Sequence, residues 1–590
     1  MAQVRVQSRL KCCRVAKSHS PTTSTMVAAR HLAAGATLAV VAGSLAGCGG
    51  SSKPSPSPSP SPSPSPSPTP APTPAPAPGP AACTPELARG HCTQCYQDAG
   101  KYSCLACSDP YALDKDAKDD DTWCTYDCSK YTPGDKVPYP SDSPTQNNGA
   151  VWPGMCIDES VSHFFTIGDW GGLCDWGKGN TCPTDQPSPM CNGQYEGNAD
   201  AGKPCPMPNR GGGKGPFISS IEGRVQSLVS NKMIDINNDL KKEGKEPRYI
   251  INVGDNFYPG GVDSHCGNKD MSASSYQFAN MWKAMYPSPL IDIPWFSVLG
   301  NHDYGGVCFL KGWDQQIYYT WASSGKWVMP GQYYRTSVQY KNFKVDYFFV
   351  DGNIFDAKQG VDPKHDICAK ATNPGSKCET TNWPPDAGQG PASCGVAGPA
   401  SQDGCYQWFS DLWSANYKWL IDVVPKSDAD WQIVVNHYPP QYNIGSAGSS
   451  YMDWSKWLEP HGVDLYIAGH THEQKVYYGD CGPSLNMGKT AWVITGGGGG
   501  VTSEMLPTES GDDDAYGFMD MEISLNTIKI TAYSHGGVDG KTIVRNSTTT
   551  VPVAKVSDEE LASLGFYTST SKTFQRRNPQ SSTGAAEVVV

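Results

Sequence analysis

Two features are scarce in this sequence: basic side chains and long apolar runs. Of its 590 residues 46 are Lys or Arg and 58 are Asp or Glu, which gives a formal net charge of −12. Nucleic-acid binders draw much of their affinity from Lys and Arg that neutralise phosphates, so the acidic excess argues against a nucleic-acid partner and against a polybasic membrane clamp. The uncharged run at residues 32–47 is shorter than the ~20 residues that a spanning helix needs, and no other run is apolar enough to cross a bilayer.

The first 48 residues are typical of a signal peptide or N-terminal anchor. All their charges are basic and precede the apolar run, and Ala46 ends a small-residue triplet that a signal peptidase prefers. We expect cleavage there and a secreted, extracellular or cell-wall protein. Two alternatives stay open: initiation at Met26, and a lipid on Cys48, because Leu45–Cys48 resembles a bacterial lipobox.

Residues 49–82 are predicted to be a linker. From Lys53 to Pro80 the chain is almost pure Ser-Pro, Thr-Pro and Ala-Pro, which cannot form a hydrogen-bonded ladder and settles into polyproline II. Such runs resemble the O-glycosylated spacers of plant and algal wall proteins. Association with a cell wall or extracellular matrix through this linker is therefore expected.

The 22 cysteines indicate an oxidising compartment. Residues 83–150 are predicted to form a small Cys-rich module without a readable function. Its two Cys-x-x-Cys pairs also fit a four-thiolate zinc site, but the oxidising context favours disulfides. The module's cysteines are Cys83, Cys92, Cys95, Cys104, Cys107, Cys124 and Cys128.

Residues 151–552 are predicted to form an α/β catalytic domain, followed by a polar tail at 553–590. Continuous apolar strands separated by helices indicate a buried sheet covered by helices, and the last stretch alternates like a closing hairpin. The predicted strands are His163–Ile167, Tyr249–Val253, Trp295–Leu299, Val345–Val350, Trp431–Val435, Leu465–Ala468, Trp492–Thr495, Gly517–Ser524 and Thr527–Tyr533. The predicted helices are Phe217–Lys242, Ser274–Met285 and Tyr406–Val424.

Five of these strands are followed by residues that bind metals. Ligand sites of α/β sheets gather at the carboxyl ends of strands, and a glycine before a ligand removes a Cβ clash. Two neighbouring metal ions need a bridging carboxylate, neutral imidazoles and further oxygens. The strand-end residues are Asp169, Asp255, Asn301 with His302 and Asp303, His437, and His470 with His472.

This series resembles the calcineurin-like metallophosphoesterases, and within them the purple acid phosphatases, especially the short tartrate-resistant type. The resemblance implies a metallophosphoesterase fold, with mixed β-sheets in a sandwich flanked by helices. The motifs that carry it are Gly168–Gly172, Gly254–Tyr258, Gly300–Asp303, Gln332–Arg335, His437–Pro439, Gly469–His472 and Met519–Tyr533.

One substitution indicates the purple subgroup. Most metallophosphoesterases have a His two residues after the first Asp, where this chain has Gly171, while Tyr258 stands three residues after Asp255. A phenolate favours a trivalent ion, so the resemblance implies Fe(III) with a divalent Fe, Zn or Mn ion. It assigns Asp169, Asp255, Tyr258 and His472 to the ferric site, and Asp255, Asn301, His437 and His470 to the divalent site.

The implied activity is an acid phosphatase that hydrolyses small phosphate monoesters by attack of a metal-bound hydroxide. His302 would contact the phosphate or the leaving oxygen, and Asp303 would orient its ring. Two other functions stay open: hydrolysis of phosphodiesters or nucleotides at the same site, and a non-enzymatic wall or surface protein, which should have lost ligands.

Some positions depart from the family or extend it. Tartrate-resistant relatives carry a second active-site His where this chain has Ser446, so either His265 replaces it or His265 is an ordinary surface residue. A Cys266–Cys308 bridge is expected, and Asn546 begins a glycosylation triplet. Two insertions with local disulfides are predicted, one with Cys174, Cys182, Cys191 and Cys205, the other with Cys368, Cys378, Cys394 and Cys405.

Overall fold

The computed structural model describes residues 80–98, 101–114, 123–172, 216, 218–258, 260–262, 277–306, 312–358, 366–368, 397–399, 404–445, 451–478 and 487–552. Several predictions fall outside these residues and stay predictions. They concern the segments 1–48 and 553–590, most of the linker, His265, Ser446, and Cys174, Cys182, Cys191, Cys205, Cys266, Cys308, Cys378 and Cys394.

The strands are, in chain order, β1 (Pro80–Ala81), β2 (Cys92–Asp98), β3 (Lys101–Cys107), β4 (Ala112–Leu113), β5 (Cys124–Thr125), β6 (Ala150–Val151), β7 (Met155–Ile157), β8 (Val161–Ile167), β9 (Ile250–Asn252), β10 (Trp295–Ser297), β11 (Trp327–Val328), β12 (Tyr334–Tyr340), β13 (Lys344–Phe349), β14 (Trp431–Val435), β15 (Leu465–Ala468), β16 (Gln474–Tyr477), β17 (Ala491–Thr495), β18 (Gly517–Ser524), β19 (Thr527–Ser534) and β20 (Arg545–Pro552). The α-helices are α1 (Pro85–Arg89), α2 (Ser219–Glu222), α3 (Val225–Lys242), α4 (Trp313–Ala322), α5 (Cys405–Val423) and α6 (Trp454–Trp457). Shorter 3₁₀ turns lie at Cys128–Lys130, Leu290–Asp292, Asn353–Asp356, Val424–Lys426 and Glu459–His461, and a π-helical turn lies at Phe278–Lys283.

Two mixed sheets form the catalytic domain. The first has the order β11-β10-β9-β8-β18-β19-β20, with β11 to β8 parallel and β18 to β20 antiparallel. The second has the order β16-β17-β15-β14-β13-β12-β6, with β17, β15, β14 and β13 parallel and β7 also paired to β12. This arrangement confirms the predicted α/β sandwich of mixed sheets.

Both faces of the central strands are buried, as their continuous apolar sequences predict. On β8, Phe164 belongs to the cluster between the sheets and its neighbour Phe165 belongs to the cluster under the helices. The Tyr249 hydroxyl joins the two sheets, because it lies 2.6 Å from the Tyr347 hydroxyl and 2.9 Å from that of Tyr340. The sandwich is thus a firm support for the loops at its edges.

The helices differ from the prediction in three places. The expected helix Phe217–Lys242 is divided into α2 and α3 at Gly223 and Arg224. The described part of Ser274–Met285 forms the π-helical turn. Helix α4 was not predicted, because its buried Gln315 and Gln316 hide the apolar periodicity.

The Cys-rich module is held by disulfides, which confirms that prediction over the zinc site. The bridges are Cys83–Cys95, Cys92–Cys104, Cys107–Cys124 and Cys128–Cys156. The last one joins the module to β7 of the catalytic sandwich. In the insertion before α5, a local Cys368–Cys405 bridge is also present.

Further contacts place the disulfide-bonded part of the module on one rim of the sandwich. The Tyr126 amide donates to the Lys341 carbonyl at 2.6 Å, and His91 pairs with Asp430 at 3.3 Å. Arg89 hydrogen-bonds Asn526 in the β18–β19 turn. Lys341 and Asp430 precede β13 and β14, so this is the rim where the parallel strands begin.

No helix in the described ranges is both long and apolar enough to traverse a lipid bilayer.

Candidate metal centre

Five parallel strands end at the same rim and deliver the predicted ligands. Asp169, Asp255 and Asn301 follow β8, β9 and β10 in the first sheet. His437 follows β14, and His470 lies in the loop after β15, in the second sheet. Because strands within each parallel set share a direction, their carboxyl ends meet.

One group of donor atoms surrounds the hydroxyl of Tyr258. This oxygen lies 2.9 Å from Asp255 Oδ2, 3.3 Å from Asp169 Oδ1 and 3.4 Å from His472 Nε2. His472 Nε2 is in turn 3.6 Å from Asp169 Oδ1. The structure therefore brings together the four residues that the resemblance assigns to a ferric ion.

A second group meets around the side-chain oxygen of Asn301. It lies 3.2 Å from His437 Nε2 and 3.2 Å from His470 Nδ1, and the two histidine nitrogens are 3.3 Å apart. Asp255 Oδ2 is 3.3 Å from His437 Nε2. Asp255 thus touches both groups, as a bridging carboxylate must.

The backbone at these ligands is shaped for close approach. Asp169, Asp255 and His470 have φ values of 57°, 51° and 67°, in the left-handed region that side chains rarely adopt. A Cβ at Gly300 would lie 2.2 Å from Asp255 Oδ1, and one at Gly469 would lie 2.3 Å from Asp169 Oδ2. The glycines before the ligands therefore leave room for carboxylates.

Hydrogen bonds from behind fix two imidazole rings. His437 Nδ1 donates to the Val253 carbonyl at 2.8 Å, and His472 Nδ1 donates to the Thr502 carbonyl at 3.2 Å. A carbonyl only accepts, so Nδ1 carries a proton in both rings and Nε2 is the ring nitrogen turned toward the donor cluster. Such bonds set the tautomer of metal-binding histidines.

Buried negative charge dominates the electrostatics. Asp169 and Asp255 are each 1% exposed, and burial raises the pKa of Asp169 well above its ordinary value. Burial opposes the charge on Asp255 as well, but His437 and His302 hold the pKa of this carboxyl below its ordinary value. Burial lowers the pKa of His472 to about 3, which keeps its ring neutral.

These residues fit a pair of cations. Asp169, Asp255 and His437 have ligand atoms within 4.8 Å of one another, and both carboxylates contact histidine nitrogens at 3.3–4.0 Å. Carboxylate, phenol and amide oxygens with imidazoles suit hard and borderline ions. Cations at this position would offset the buried charge that the histidines balance only in part.

Two glycines lie close to the segment that carries Tyr258, and neither position has room for a Cβ. A Cβ at Gly171 would lie 1.9 Å from the Asn256 carbonyl oxygen, so this position admits no side chain. A Cβ at Gly500 would lie 2.3 Å from the Tyr258 ring. Gly500 ends a run of five glycines at 496–500, which sequence reasoning missed although the run directly follows β17.

Asp303 is buried among hydrogen-bond donors. Its carboxylate accepts from the Gly300 amide at 2.8 Å, the Asn256 amide at 2.9 Å and Gln316 Nε2 at 2.7 Å. These bonds tie the loops after β9 and β10 to α4. The structure thus shows a fastening role for Asp303, and its predicted role in orienting His302 stays a prediction.

His302 lies beside the donor cluster. Its Nε2 is 4.0 Å from Asp255 Oδ2, and its ring centre is 4.2 Å from that of Tyr258. The His302 amide donates to Asp255 Oδ1 at 2.8 Å, which holds the residue against the bridging carboxylate.

Comparison with known proteins agrees with this geometry. The calcineurin-like phosphoesterase family matches residues 230–474, so the chain carries a calcineurin-like phosphoesterase domain. Its relatives include purple acid phosphatases, as the motifs predicted. Purple acid phosphatase 7 of Arabidopsis thaliana is 26% identical over 57% of this chain and 83% of its own length.

Two more matches lie further away. Tartrate-resistant acid phosphatase type 5 of Rattus norvegicus is 23% identical over 49% of this chain and 76% of its own length. Among solved structures, GAP50, the anchor in the inner membrane complex of Plasmodium, aligns with a TM-score of 0.36 and 17% identity over 67% of this chain and 90% of that chain.

Proposed function

We propose that this protein is a secreted acid phosphatase that hydrolyses small phosphate monoesters with an Fe(III) ion and a divalent Fe, Zn or Mn ion. The contact of the Tyr258 hydroxyl with Asp169, Asp255 and His472 carries the proposal. A phenol at a buried junction of two carboxylates and an imidazole is a donor set for a hard trivalent ion. The extracellular location is supported by the five disulfides in the described part of the chain.

Individual residues of the site have separate roles in the proposed reaction. Bound ions would supply Lewis acidity for the phosphoryl oxygens and an acidified water. Asp255 fixes the spacing of the two donor groups because it touches both. His302 points its Nε2 toward the same space and would give a hydrogen bond or proton to the leaving oxygen. All seven proposed ligands are present, which favours an enzyme over a non-enzymatic surface protein.

The test is the visible absorption spectrum of the concentrated protein, with iron, zinc and manganese analysis of the same sample. We expect a broad purple band from charge transfer between tyrosinate and Fe(III), and its loss in Tyr258→Phe. Tyr438→Phe is the matched control, because the buried Tyr438 hydroxyl bonds Asn353 at 3.2 Å and Asp356 at 3.1 Å instead of the donor cluster.

Two outcomes would contradict the proposal. Colourless protein with two divalent ions and phosphoesterase activity would keep the metal cage but reject the ferric site. Faster hydrolysis of an aryl diester than of the matching aryl monoester would make the enzyme a phosphodiesterase. Secretion is tested separately by sequencing the N-terminus of protein recovered from the medium, which we expect to start at Gly47.

A further inference from the structure

The described ligands of the donor cluster differ in exposure. His437 and Asp255 are buried at 0% and 1% exposure, whereas His470 and His472 are half-buried. Tyr442 is half-buried too and lies beside His470, with ring centres 5.6 Å apart and planes at 84°. Among the described residues, a ligand can therefore approach the donor atoms past His470 and Tyr442.

An aromatic pair stands on the rim. Tyr442 stacks on Phe355 with ring centres 4.8 Å apart and planes at 12°. The two residues follow different strands. Phe355 belongs to the 3₁₀ turn after β13, and Tyr442 belongs to the loop after β14. The pair begins next to a proposed metal ligand and leads away from it.

Neighbouring side chains hold the aromatic pair in place. Tyr438 lies 5.3 Å from Phe355 and 4.6 Å from His470. On the Phe355 side, Lys358 Nζ stands 5.3 Å from the ring centre and is anchored to Asp356 at 3.0 Å. Rings held in this way lose little freedom when a ligand stacks on them.

We propose that Tyr442 and Phe355 form the leaving-group subsite of the enzyme, and that this subsite favours phosphate esters whose alcohol carries a planar aromatic ring. The inference rests on the proposed function, because the phosphoryl group must lie at the donor cluster. An ester held there extends its alcohol past His470 to the aromatic pair. An aryl or heteroaryl group then packs against the rings, and an alkyl group loses that contact.

The test compares two phosphonates that the enzyme cannot hydrolyse, so leaving-group reactivity does not enter. Methylphosphonate and phenylphosphonate are used as competitive inhibitors of the full chain against one aryl phosphate substrate. We expect phenylphosphonate to bind about three- to tenfold more tightly, the worth of one aromatic contact. In Tyr442→Leu that preference should fall to about onefold, and Tyr442→Phe should keep it.

The matched control is Tyr139→Leu. Tyr139 is 38% exposed and stacks on Tyr318 at 5.5 Å, so this variant also removes a partly exposed, stacked tyrosine, but not beside the donor cluster. If Tyr442→Leu does not fold, Phe355→Leu takes its place with the same expectation.

The outcomes separate the two proposals. Inhibition by both phosphonates with a preference that Tyr442→Leu and Phe355→Leu leave unchanged overturns the subsite alone. Absence of hydrolysis of the aryl phosphate by the full chain overturns the proposed function and the subsite together.

Discussion

At the scale of single residues, the donor cluster depends on backbone conformations that cost free energy. Asp169, Asp255 and His470 all have positive φ, and each such residue costs about 1–2 kcal/mol relative to the ordinary helical conformation. The sandwich must hold them, because their side chains alone would not. This strain lets donors from both sheets converge within 3.6 Å of a neighbour.

Gly171→Ala should destabilise the protein far more than a glycine substitution in open space. The new Cβ would lie 1.9 Å from the Asn256 carbonyl oxygen, and the alanine would have to keep a φ of 76°. Gly244→Ala is the control, because its φ is 71° and nothing lies within 4 Å of the added Cβ. We expect a loss of about 1–2 kcal/mol for the control and several kcal/mol for Gly171→Ala, measured by urea unfolding. Equal losses would show that Gly171 is kept for its φ alone.

His302→Ala should lower kcat and leave the metal content unchanged. The ring faces the donor cluster, but its Nε2 is 4.0 Å from Asp255 Oδ2. Neighbouring atoms of the proposed ligands lie 2.9–3.6 Å apart, so we place His302 outside the ligand group, where it can contact the substrate. A general acid of this kind contributes about 10²–10⁴-fold to the rate. Steady-state kinetics and metal analysis on one preparation measure both quantities. Loss of iron in this variant would place His302 among the ligands.

At the scale of elements, α2 supports the loop that holds His472. The Tyr516 hydroxyl donates to Glu222 of α2 at 2.8 Å and accepts from the Ser503 amide at 2.7 Å. The Ser503 hydroxyl donates in turn to the His472 carbonyl. The helix, the loop and the ligand are thus joined by one chain of hydrogen bonds.

Tyr516→Phe should therefore weaken iron binding more than it weakens zinc or manganese binding. The variant removes the hydroxyl that links Glu222 to Ser503, and His472 belongs to the proposed ferric group only. We expect a loss of about 1–3 kcal/mol in stability and a lower intensity of the purple band per protein. Tyr466→Phe is a control of equal chemistry, since its hydroxyl also accepts one hydrogen bond, from Asn436 Nδ2 at 2.8 Å, and donates one, to the Tyr438 carbonyl at 2.9 Å. A purple band lowered equally in both variants would contradict this role.

The strands of the site could be predicted from sequence, and much around them could not. Trp431–Val435 and Leu465–Ala468 match β14 and β15 residue for residue, because strands buried on both faces are apolar throughout. The polar residues that follow these strands stand out in the sequence for the same reason. Helix α4 was not predicted because the polar Gln316 is buried, where it donates a hydrogen bond to Asp303. The role of the glycine run 496–500 was not predicted because the close approach of other residues to a glycine, such as Tyr258 to Gly500, leaves no periodic pattern in the sequence.

At the scale of the whole molecule, the two rims of the sandwich have different tasks. The proposed metal ligands occupy the rim where the parallel strands end. The disulfide-bonded part of the Cys-rich module contacts the opposite rim through Lys341, Asp430 and Asn526. Strand β20 also ends there, since Pro552 pairs with Thr527 beside the β18–β19 turn. The disulfide-bonded part of the module is therefore part of the scaffold on the rim opposite the proposed metal ligands. The module's last residues reach the ligand rim, where Asn148 Nδ2 donates to Gln332 Oε1 at 2.9 Å and Gln332 Nε2 donates to the Tyr304 hydroxyl at 2.7 Å.

Replacing both Cys128 and Cys156 with Ser should lower stability without changing catalysis. The bridge closes a sequence separation of 28 residues, and chain entropy alone gives such a loop about 3–4 kcal/mol. We expect a lower midpoint of urea unfolding, together with unchanged kcat, KM and purple band in the folded protein. A sandwich about seven residues deep along β8 separates the bridge from the donor cluster by roughly 20 Å. A changed KM or a shifted band in the double variant would show that the module reaches the metal centre through the sandwich.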